Sequence, residues 1–186
     1  MQPVALVPHP GTHPVSVLRV DARVRRGGDG TLALTFGLEG DLARLRLPRA
    51  GERRRGHDLW RHTCFEAFTA RDGDPAYHEF NFSPSCEWAV HAFRAYRDGG
   101  PLGDDRLAPS IVVRRDGDRL ELDALVALDR LSASHRHAAL RLALSAVVEA
   151  DDGTLSYWAL RHPPGRPDFH HADGFVLRLE GPVAFC

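Results

Sequence analysis

The chain has 186 residues, a formal net charge of -1 and 43% hydrophobic residues, which fits one globular domain over residues 1–186. This charge gives no general attraction for nucleic acid or for an anionic membrane. All 24 basic residues are arginine, which excludes mechanisms that need a lysine as Schiff base or general base.

The cysteines and the N-terminus bear on the cellular compartment. Cys64, Cys86 and Cys186 form neither a disulfide framework nor the CxxC spacing of a zinc site. Residues 1–14 lack the charged region and apolar run of a signal peptide, and no segment approaches the ~20 apolar residues of a membrane span. We therefore predict an extended lead-in over 1–14 and a cytoplasmic protein that binds neither membrane nor nucleic acid. The oligomeric state is not indicated.

Alternation of apolar and polar residues predicts β-strands along most of the chain. The clearest are Val17–Arg26, with Leu18, Val20, Ala22 and Val24 on one face, and then Leu32–Phe36, Leu120–Val126 and Leu140–Val148. Asp-Gly, which favours hairpin turns, occurs six times. This pattern predicts an all-β fold, an antiparallel β-sandwich of the immunoglobulin-like or jelly-roll-like two-sheet kind with little helix.

The segment from Trp60 to Trp88 predicts a hairpin whose register can be derived. If Asp72-Gly73 is a two-residue turn, the paired positions follow directly: Phe65 with Phe80, Glu66 with Glu79, Phe68 with Tyr77, and Cys64 with Asn81. Phe65, Phe80 and Phe82 then face the core. The two glutamates lie side by side on the opposite face, with His62 near its far end.

Two carboxylates about 5 Å apart repel by roughly 3 kcal/mol at an effective dielectric of about 20. Three interpretations of the Glu66–Glu79 pair remain open. The pair is a solvated face, or it holds a hard cation such as calcium with Asn81 as a further oxygen ligand, or it accepts hydrogen bonds from a polar ligand. In the last case Trp60, Tyr77 or Trp88 would give the apolar contact surface.

The segment Pro84–Tyr96 is compatible with an amphipathic helix or with a third strand. We favour the strand because its flanks are strands and the Ser-Pro-Ser turn before it is short.

Tyr157 and Trp158 form a further aromatic candidate. A turn at Asp152-Gly153 would pair Val147 with Trp158, so that one of the two aromatics points to each face of the sheet. The outward one would be a platform for a sugar ring, and Trp158 is included among the candidate ligand contacts.

The loop RHPPGRPDFHH, residues 161–171, contains metal-ligand residue types. His162, Asp168 and His170, with His62 as a further member, would make a zinc or iron site if at least three of them converge. A small metal-dependent enzyme would follow. The alternative is a proline-stiffened loop that caps one end of the sandwich.

Motifs of covalent catalysis are missing from the sequence. Ser83 and Ser85 lie in NFSPSC, which is not the GxSxG elbow. Glu66 and Glu79 could serve a glycosidase only if they flank one bond across a cleft. The sequence therefore favours a binding protein over an enzyme without deciding between them.

Three segments together resemble a known family: LWRHTCFEAF, YHEFNFSPSCEWAVHAF and LSYWALRHPPGRPDFHHADGF. They look like bacterial, uncharacterised DOMON-like proteins related to family-nine carbohydrate-binding modules, over about Asp58 to Leu179. The resemblance implies a β-sandwich that binds ligands on a concave sheet face or at one end. Relatives bind sugars or heme, and some hold structural calcium. The matching motif positions are Glu66, Tyr77, Glu79, Asn81 and Trp88.

The resulting hypothesis is a non-catalytic module that binds a carbohydrate-like polar small molecule. Its candidate contacts are Trp60, His62, Glu66, Tyr77, Glu79, Asn81, Trp88 and Trp158. No cofactor is certain: calcium is the metal that the acidic pair would suit, and heme is not favoured because the only methionine is Met1, although a bis-histidine heme stays open. The metal-dependent enzyme and a protein-interaction domain are the alternatives.

Overall fold

The computed structural model describes residues 3–14 and 16–181; Met1 and Cys186 lie outside this part of the chain. The strands are β1 (Val4–Pro8), β2 (Val17–Arg26), β3 (Thr31–Gly40), β4 (Arg54–Arg55), β5 (Cys64–Arg71), β6 (Tyr77–Phe82), β7 (Glu87–Ala95), β8 (Asp98–Pro101), β9 (Ser110–Asp116), β10 (Arg119–Ala127), β11 (Leu140–Glu149), β12 (Leu155–Ala159) and β13 (Leu177–Leu179). Short 3-10 helices span Leu42–Arg44, Leu59–Arg61, Asp105–Leu107, Leu128–Arg130, Ala133–Arg136 and Ala172–Gly174. In the portion described, none of the helices has the length and apolarity needed to cross a membrane.

The strands form one continuous curled sheet with the order β4-β7-β6-β5-β11-β12-β1-β2-β3-β10-β9, while β13 pairs with β11 and β8 pairs with β7. Strand β1 hydrogen-bonds to β2 on one side and to β12 on the other, and so joins the two halves. The β4–β7 pair is parallel. The all-β prediction is confirmed, but over residues 3–14 and 16–181 the strands join into one sheet and do not form two separate antiparallel sheets. The predicted lead-in contains β1, the strand that makes the sheet continuous.

The main core lies where the inner faces of the two halves meet. Phe36 of β3 stacks on Phe65 of β5 with ring centroids 5.2 Å apart, and Phe82 of β6 lies 6.4 Å from the same Phe36 ring. All three side chains are fully buried. Burial of each phenylalanine contributes about 1.5–3 kcal/mol, so this contact holds the curled sheet closed.

The strands predicted from alternation are present as β2, β3, β10 and β11. One side chain departs from the predicted face. Leu18 is 75% exposed and Val17 is buried in its place, because an irregularity between Val17 and Arg19 interrupts the β2–β3 register. An extra residue at such a bulge turns the side chain beside it to the other face.

The predicted β5–β6 register is wrong by two residues: Phe65 pairs with Phe82 and Glu66 pairs with Asn81. The turn at Asp72-Gly73 does form, with Gly73 at a φ of 78°. The strands do not pair directly after it, because the Asp74 side chain accepts a hydrogen bond from the Ala76 N–H and makes a second turn there. A shift of two preserves which face each side chain points to, so both glutamates still share the outer face.

The predicted β11–β12 register is wrong by one residue. Ala146 pairs with Trp158, and Val147 pairs with Tyr157. The hairpin closes with a hydrogen bond from the Ala150 N–H to the Thr154 carbonyl, which leaves an odd three-residue loop. A shift of one residue exchanges the two faces of a strand. Trp158 therefore points into the core and Tyr157 points outward.

The segment favoured as a third strand is β7, so that prediction is confirmed. Trp88 in this strand lies opposite Phe82 and shares its core face. It is only 2% exposed.

Candidate ligand-binding cleft

The candidate site lies on the outer face of the half-sheet formed by β12, β11, β5, β6 and β7. Its cross-strand rows follow from the pairing. One row runs from Asn81 through Glu66 to Ser145, and the next contains Glu79, paired with His91 on one side and with Phe68 on the other. The alternation of β5 and β6 places a polar row in the middle of an otherwise apolar outer face.

The loop between β12 and β13 crosses this face. Its residues Phe169 and Phe175 pack on a small apolar cluster formed by Phe68, Tyr77 and neighbours. The proline-rich loop was predicted to cap an end of the sandwich, whereas it covers part of a sheet face. This placement converts a flat face into a cleft.

The cleft has a volume of about 540 Å³. Its walls come from the 3-10 helix at Leu59–Arg61, from the β7–β8 hairpin and from the loop that crosses the face. The lining residues are Trp60, Glu66, Glu79, His91, Phe93, Arg97, Gly99, Gly100, Val147, Tyr157, Arg166, Pro167, Phe169 and His170.

Glu66 lies on the floor of the cleft and is 2% exposed. Its Oε2 accepts a hydrogen bond of 3.2 Å from the Ser145 hydroxyl. Burial, and then the charge of Glu79, raise the pKa of Glu66 well above its ordinary value, while the Ser145 hydrogen bond acts in the opposite direction. The site therefore favours a neutral or counter-charged carboxyl at this position.

Glu79 is 6% exposed and its Oε1 accepts a hydrogen bond of 2.7 Å from the Asn81 amide. Burial raises the pKa of Glu79, and the hydrogen bond from Asn81 and the charges of His91 and Arg97 oppose that rise. The Asn81 Oδ1 in turn accepts from the Cys64 thiol at 3.5 Å. Asn81 therefore holds Glu79 in place from below and does not line the cleft.

His170 links the cleft to the apolar cluster. The Tyr77 hydroxyl accepts a hydrogen bond of 3.1 Å from the Arg97 N–H and lies 2.9 Å from His170 Nδ1. On the other side of the ring, His170 Nε2 lies 3.8 Å from Glu79 Oε2. Burial, and next the charge of Arg97, lower the pKa of His170 to about 4, so the ring is neutral near pH 7.

The predicted metal ligands do not converge. Asp168 accepts hydrogen bonds of 2.8 Å from the Tyr96 hydroxyl and from Arg97. His162 Nε2 lies 2.9 Å from the Val7 carbonyl. Over residues 3–14 and 16–181, no group of three or more His, Cys, Asp or Glu is arranged to hold a metal ion.

The residues predicted to contact the ligand lie in different parts of the structure. Trp60, which is 47% exposed, lines the cleft together with Glu66 and Glu79. Tyr77 borders a neighbouring apolar cavity of about 570 Å³ that shares His170 with the cleft. His62 is elsewhere, with its Nδ1 2.7 Å from Glu149 Oε2.

The placement predicted for two tryptophans is wrong. Trp88 and Trp158 both belong to the main core, on the opposite side of the half-sheet from Glu66. Trp158 is fixed there by a hydrogen bond of 3.1 Å from its indole N–H to the Ser156 hydroxyl.

Several lining residues were not found from the sequence. The face to which Tyr157 points was predicted from a two-residue turn, but the loop has one more residue, which reverses the face. His91 and Phe93 alternate along β7, but without the pairing to β6 nothing relates them to the glutamates. Phe169 is part of the loop noted only for its metal-ligand residue types. Its apolar side chain next to three prolines was the available signal that the loop packs on a surface.

Comparison with known proteins gives a likeness of fold. No protein-family model matches the chain, and no curated protein matches it. A solved structure from Bacteroides uniformis, provisionally named a carbohydrate-binding protein, superposes with a TM-score of 0.71 at 15% identity, over 94% of this chain and 84% of that one. A family-nine carbohydrate-binding module from Caldicellulosiruptor kristjanssonii in complex with cellotriose gives a TM-score of 0.53 at 10% identity, over 88% and 74% of the two chains.

Proposed function

We propose that the protein is a non-catalytic module that binds a sugar-like polar small molecule in the cleft above Glu66 and Glu79. The observation that carries the proposal is a pair of buried carboxyl groups on the floor of a cleft of about 540 Å³ with aromatic walls. The fold likeness to the Bacteroides uniformis protein agrees with it. The DOMON-like relationship inferred from the sequence belongs to the same proposal.

The chemistry of the cleft suits hydroxyl groups. Glu66 and Glu79 each accept one hydrogen bond from a neutral side chain, from Ser145 and Asn81 respectively, and can accept more from ligand hydroxyls. Trp60, Tyr157 and Phe169 offer ring surfaces for the apolar faces of a sugar. Such a mixture of few polar groups and larger apolar walls is typical of small-molecule sites.

Binding is favoured over hydrolysis by the position of the two acids. Both project from adjacent strands of one sheet face, and a glycosidase needs its carboxyl groups on either side of the scissile bond.

Calcium is not favoured either. The Asn81 Oδ1 that would serve as a ligand is engaged by the Cys64 thiol, which leaves the two carboxyls short of the six to eight oxygens that calcium takes.

Calorimetric titration with a panel of mono- and oligosaccharides tests the proposal. We expect at least one saccharide to bind the wild type and Trp60→Ala to weaken it, because an exposed ring that lines the cleft is lost. Leu18→Ala, which also removes an exposed apolar side chain but on the other half-sheet, is the matched control and should bind as the wild type does. Absence of binding across the panel, or equal weakening by both variants, would contradict the proposal.

A further inference from the structure

Glu66 is the carboxyl group of the cleft whose charge is least compensated. Its Oε1 accepts no hydrogen bond from any residue in the described part of the chain, and no arginine or histidine there lies within 4.0 Å of it. Its polar surroundings are the Ser145 hydroxyl, Glu79 and the Cys64 thiol. A buried carboxylate in this position is unfavourable unless a positive charge or a proton joins it.

The basic side chains beside the floor of the cleft interact with Glu79. His91 and Arg97 act on Glu79, and the His170 ring, which is neutral near pH 7, lies 3.8 Å from that same carboxyl. The charge of Arg97 is already matched by Asp168 at 2.8 Å. A cationic ligand group would therefore be stabilised most in the space above Glu66.

The walls of the cleft are also compatible with a cation. Trp60, Phe93, Tyr157 and Phe169 all line it. The faces of aromatic rings carry partial negative charge and attract ammonium groups within about 6 Å. A carboxylate floor with aromatic walls thus offers two independent kinds of attraction to the same ligand group.

From these contacts we infer that the ligand is an amino sugar, whose ammonium group sits on Glu66 beside the aromatic walls while its hydroxyls reach Glu79. This inference rests on the proposed function, since it names the class of sugar that the same cleft takes. It assigns different roles to the two acids: Glu66 selects the amine, and Glu79 binds a hydroxyl.

Arg166 is the feature that would favour the opposite class of ligand, an acidic sugar. It lines the cleft and is exposed. Its exposure places it at the solvent end, where a charge pair contributes little to binding. A carboxylate ligand that reached the floor would bring a third negative group beside Glu66 and Glu79. We therefore expect the buried glutamates on the floor to affect the charge preference of the cleft more than the exposed Arg166 does.

The inference carries a pH signature. Burial and the charge of Glu79 raise the pKa of the Glu66 carboxyl, so the empty site keeps a proton to a higher pH than an ordinary carboxyl does, and an incoming ammonium displaces that proton. Proton release on binding means that affinity increases as the pH rises above the ordinary carboxyl pKa. A neutral sugar releases no proton and lacks this dependence on Glu66.

The test compares glucosamine with glucose, N-acetylglucosamine and glucuronic acid by calorimetry of the full chain at about pH 5 and about pH 7, in two buffers of different ionisation enthalpy. We expect glucosamine to bind at least about tenfold more tightly than the neutral sugars near pH 7, with proton release. Glu66→Gln should remove this preference, and Glu87→Gln, which alters an ion pair with Arg54 outside the cleft, should retain it. Proton release by the wild type gives a readout that does not depend on how the variant folds.

The outcomes separate this inference from the proposed function. Equal binding of glucosamine, glucose and N-acetylglucosamine, or tightest binding of glucuronic acid, would overturn the inference and leave sugar binding intact. Absence of binding by all four sugars and by longer saccharides would overturn both. Unchanged preference for glucosamine in a folded Glu66→Gln variant would also overturn the inference, because the ammonium would then sit elsewhere.

Discussion

Glu66 and Glu79 lie on the same outer face of adjacent strands, but they are not direct partners: Glu66 is opposite Asn81, and Glu79 is opposite Phe68. The diagonal arrangement puts a different neutral donor beside each acid, Ser145 for Glu66 and the Asn81 amide for Glu79. The acids can therefore differ in charge state and in role although they share one floor.

The stability of the protein should depend on pH through Glu66. Its pKa is raised in the folded state by burial and by Glu79, so above the ordinary carboxyl pKa the folded state holds a proton that the unfolded chain releases. The free energy of unfolding then falls as the pH rises, by up to about 1.4 kcal/mol per pH unit for this group.

Glu66→Gln removes the titrating group and so this loss of stability at higher pH. The glutamine side chain keeps an oxygen that can accept the Ser145 hydrogen bond. Urea denaturation between about pH 5 and pH 8 should show the variant gaining stability relative to the wild type as pH increases. The histidines are common to both proteins and cancel in the difference. A difference that is constant over this range would mean that Glu66 titrates normally.

His170 should titrate far below an ordinary histidine. Burial and the charge of Arg97 lower its pKa to about 4, compared with about 6.5 for a free side chain. Stability linked to this ring is present above the ordinary pKa and is lost as the pH falls from there towards about 4. Proton NMR of the imidazole, assigned by the disappearance of its signal in His170→Asn, gives the midpoint directly. A midpoint near or above the ordinary value would show that the ring is not packed against Phe68 and Tyr77 of the sheet.

Two adjacent glycines of the β7–β8 hairpin should respond differently to substitution. A Cβ on Gly99 would lie 1.9 Å from the Ala92 carbonyl oxygen, whereas a Cβ on Gly100 would meet nothing within 4 Å. We expect Gly99→Ala to destabilise the fold by about 1–3 kcal/mol and to weaken ligand binding, because this wall of the cleft must move. Gly100→Ala is the control and should be close to the wild type in thermal unfolding. Similar unfolding curves for both variants would contradict the close packing of β8 on β7.

The three tryptophans should differ in their access to solvent. Trp60 is 47% exposed, while Trp88 and Trp158 are nearly completely buried. Acrylamide should strongly quench the fluorescence of the exposed Trp60 and only weakly quench that of the two buried tryptophans. Trp60→Phe should abolish the strongly quenched component. Substantial remaining quenching in this variant would place Trp88 or Trp158 at the surface, as the sequence alone had indicated.

The strands and the shared face of Glu66 and Glu79 could be predicted from the sequence, because alternation in β5 and β6 is a local property. The predicted pairing of strands was wrong where a turn sets the register. At Asp72-Gly73 the added turn at Asp74 shifted the pairing by two residues, which left the predicted faces unchanged. At Asp152-Gly153 one extra loop residue exchanged the faces, which moved Trp158 into the core and Tyr157 to the cleft.

The walls of the site could not be derived from local patterns. Phe169 and His170 reach the sheet from a loop that is distant in sequence from Phe68 and Tyr77, and their contact depends on where that loop crosses the face. The metal-ligand residue types in the same loop suggested a metal site. In the fold, Asp168 pairs with Arg97 and His162 meets Val7.

The most direct test of ligand binding in the cleft is a two-dimensional amide NMR titration of the protein with the tightest-binding saccharide of the calorimetric panel. We expect the shifted amides to cluster around the cleft, at Gly99, Gly100, Phe169 and His170, together with the indole signal of Trp60. Saturable shifts confined to the opposite half-sheet around β9 and β10, or no shifts in the cleft at saturation, would contradict it.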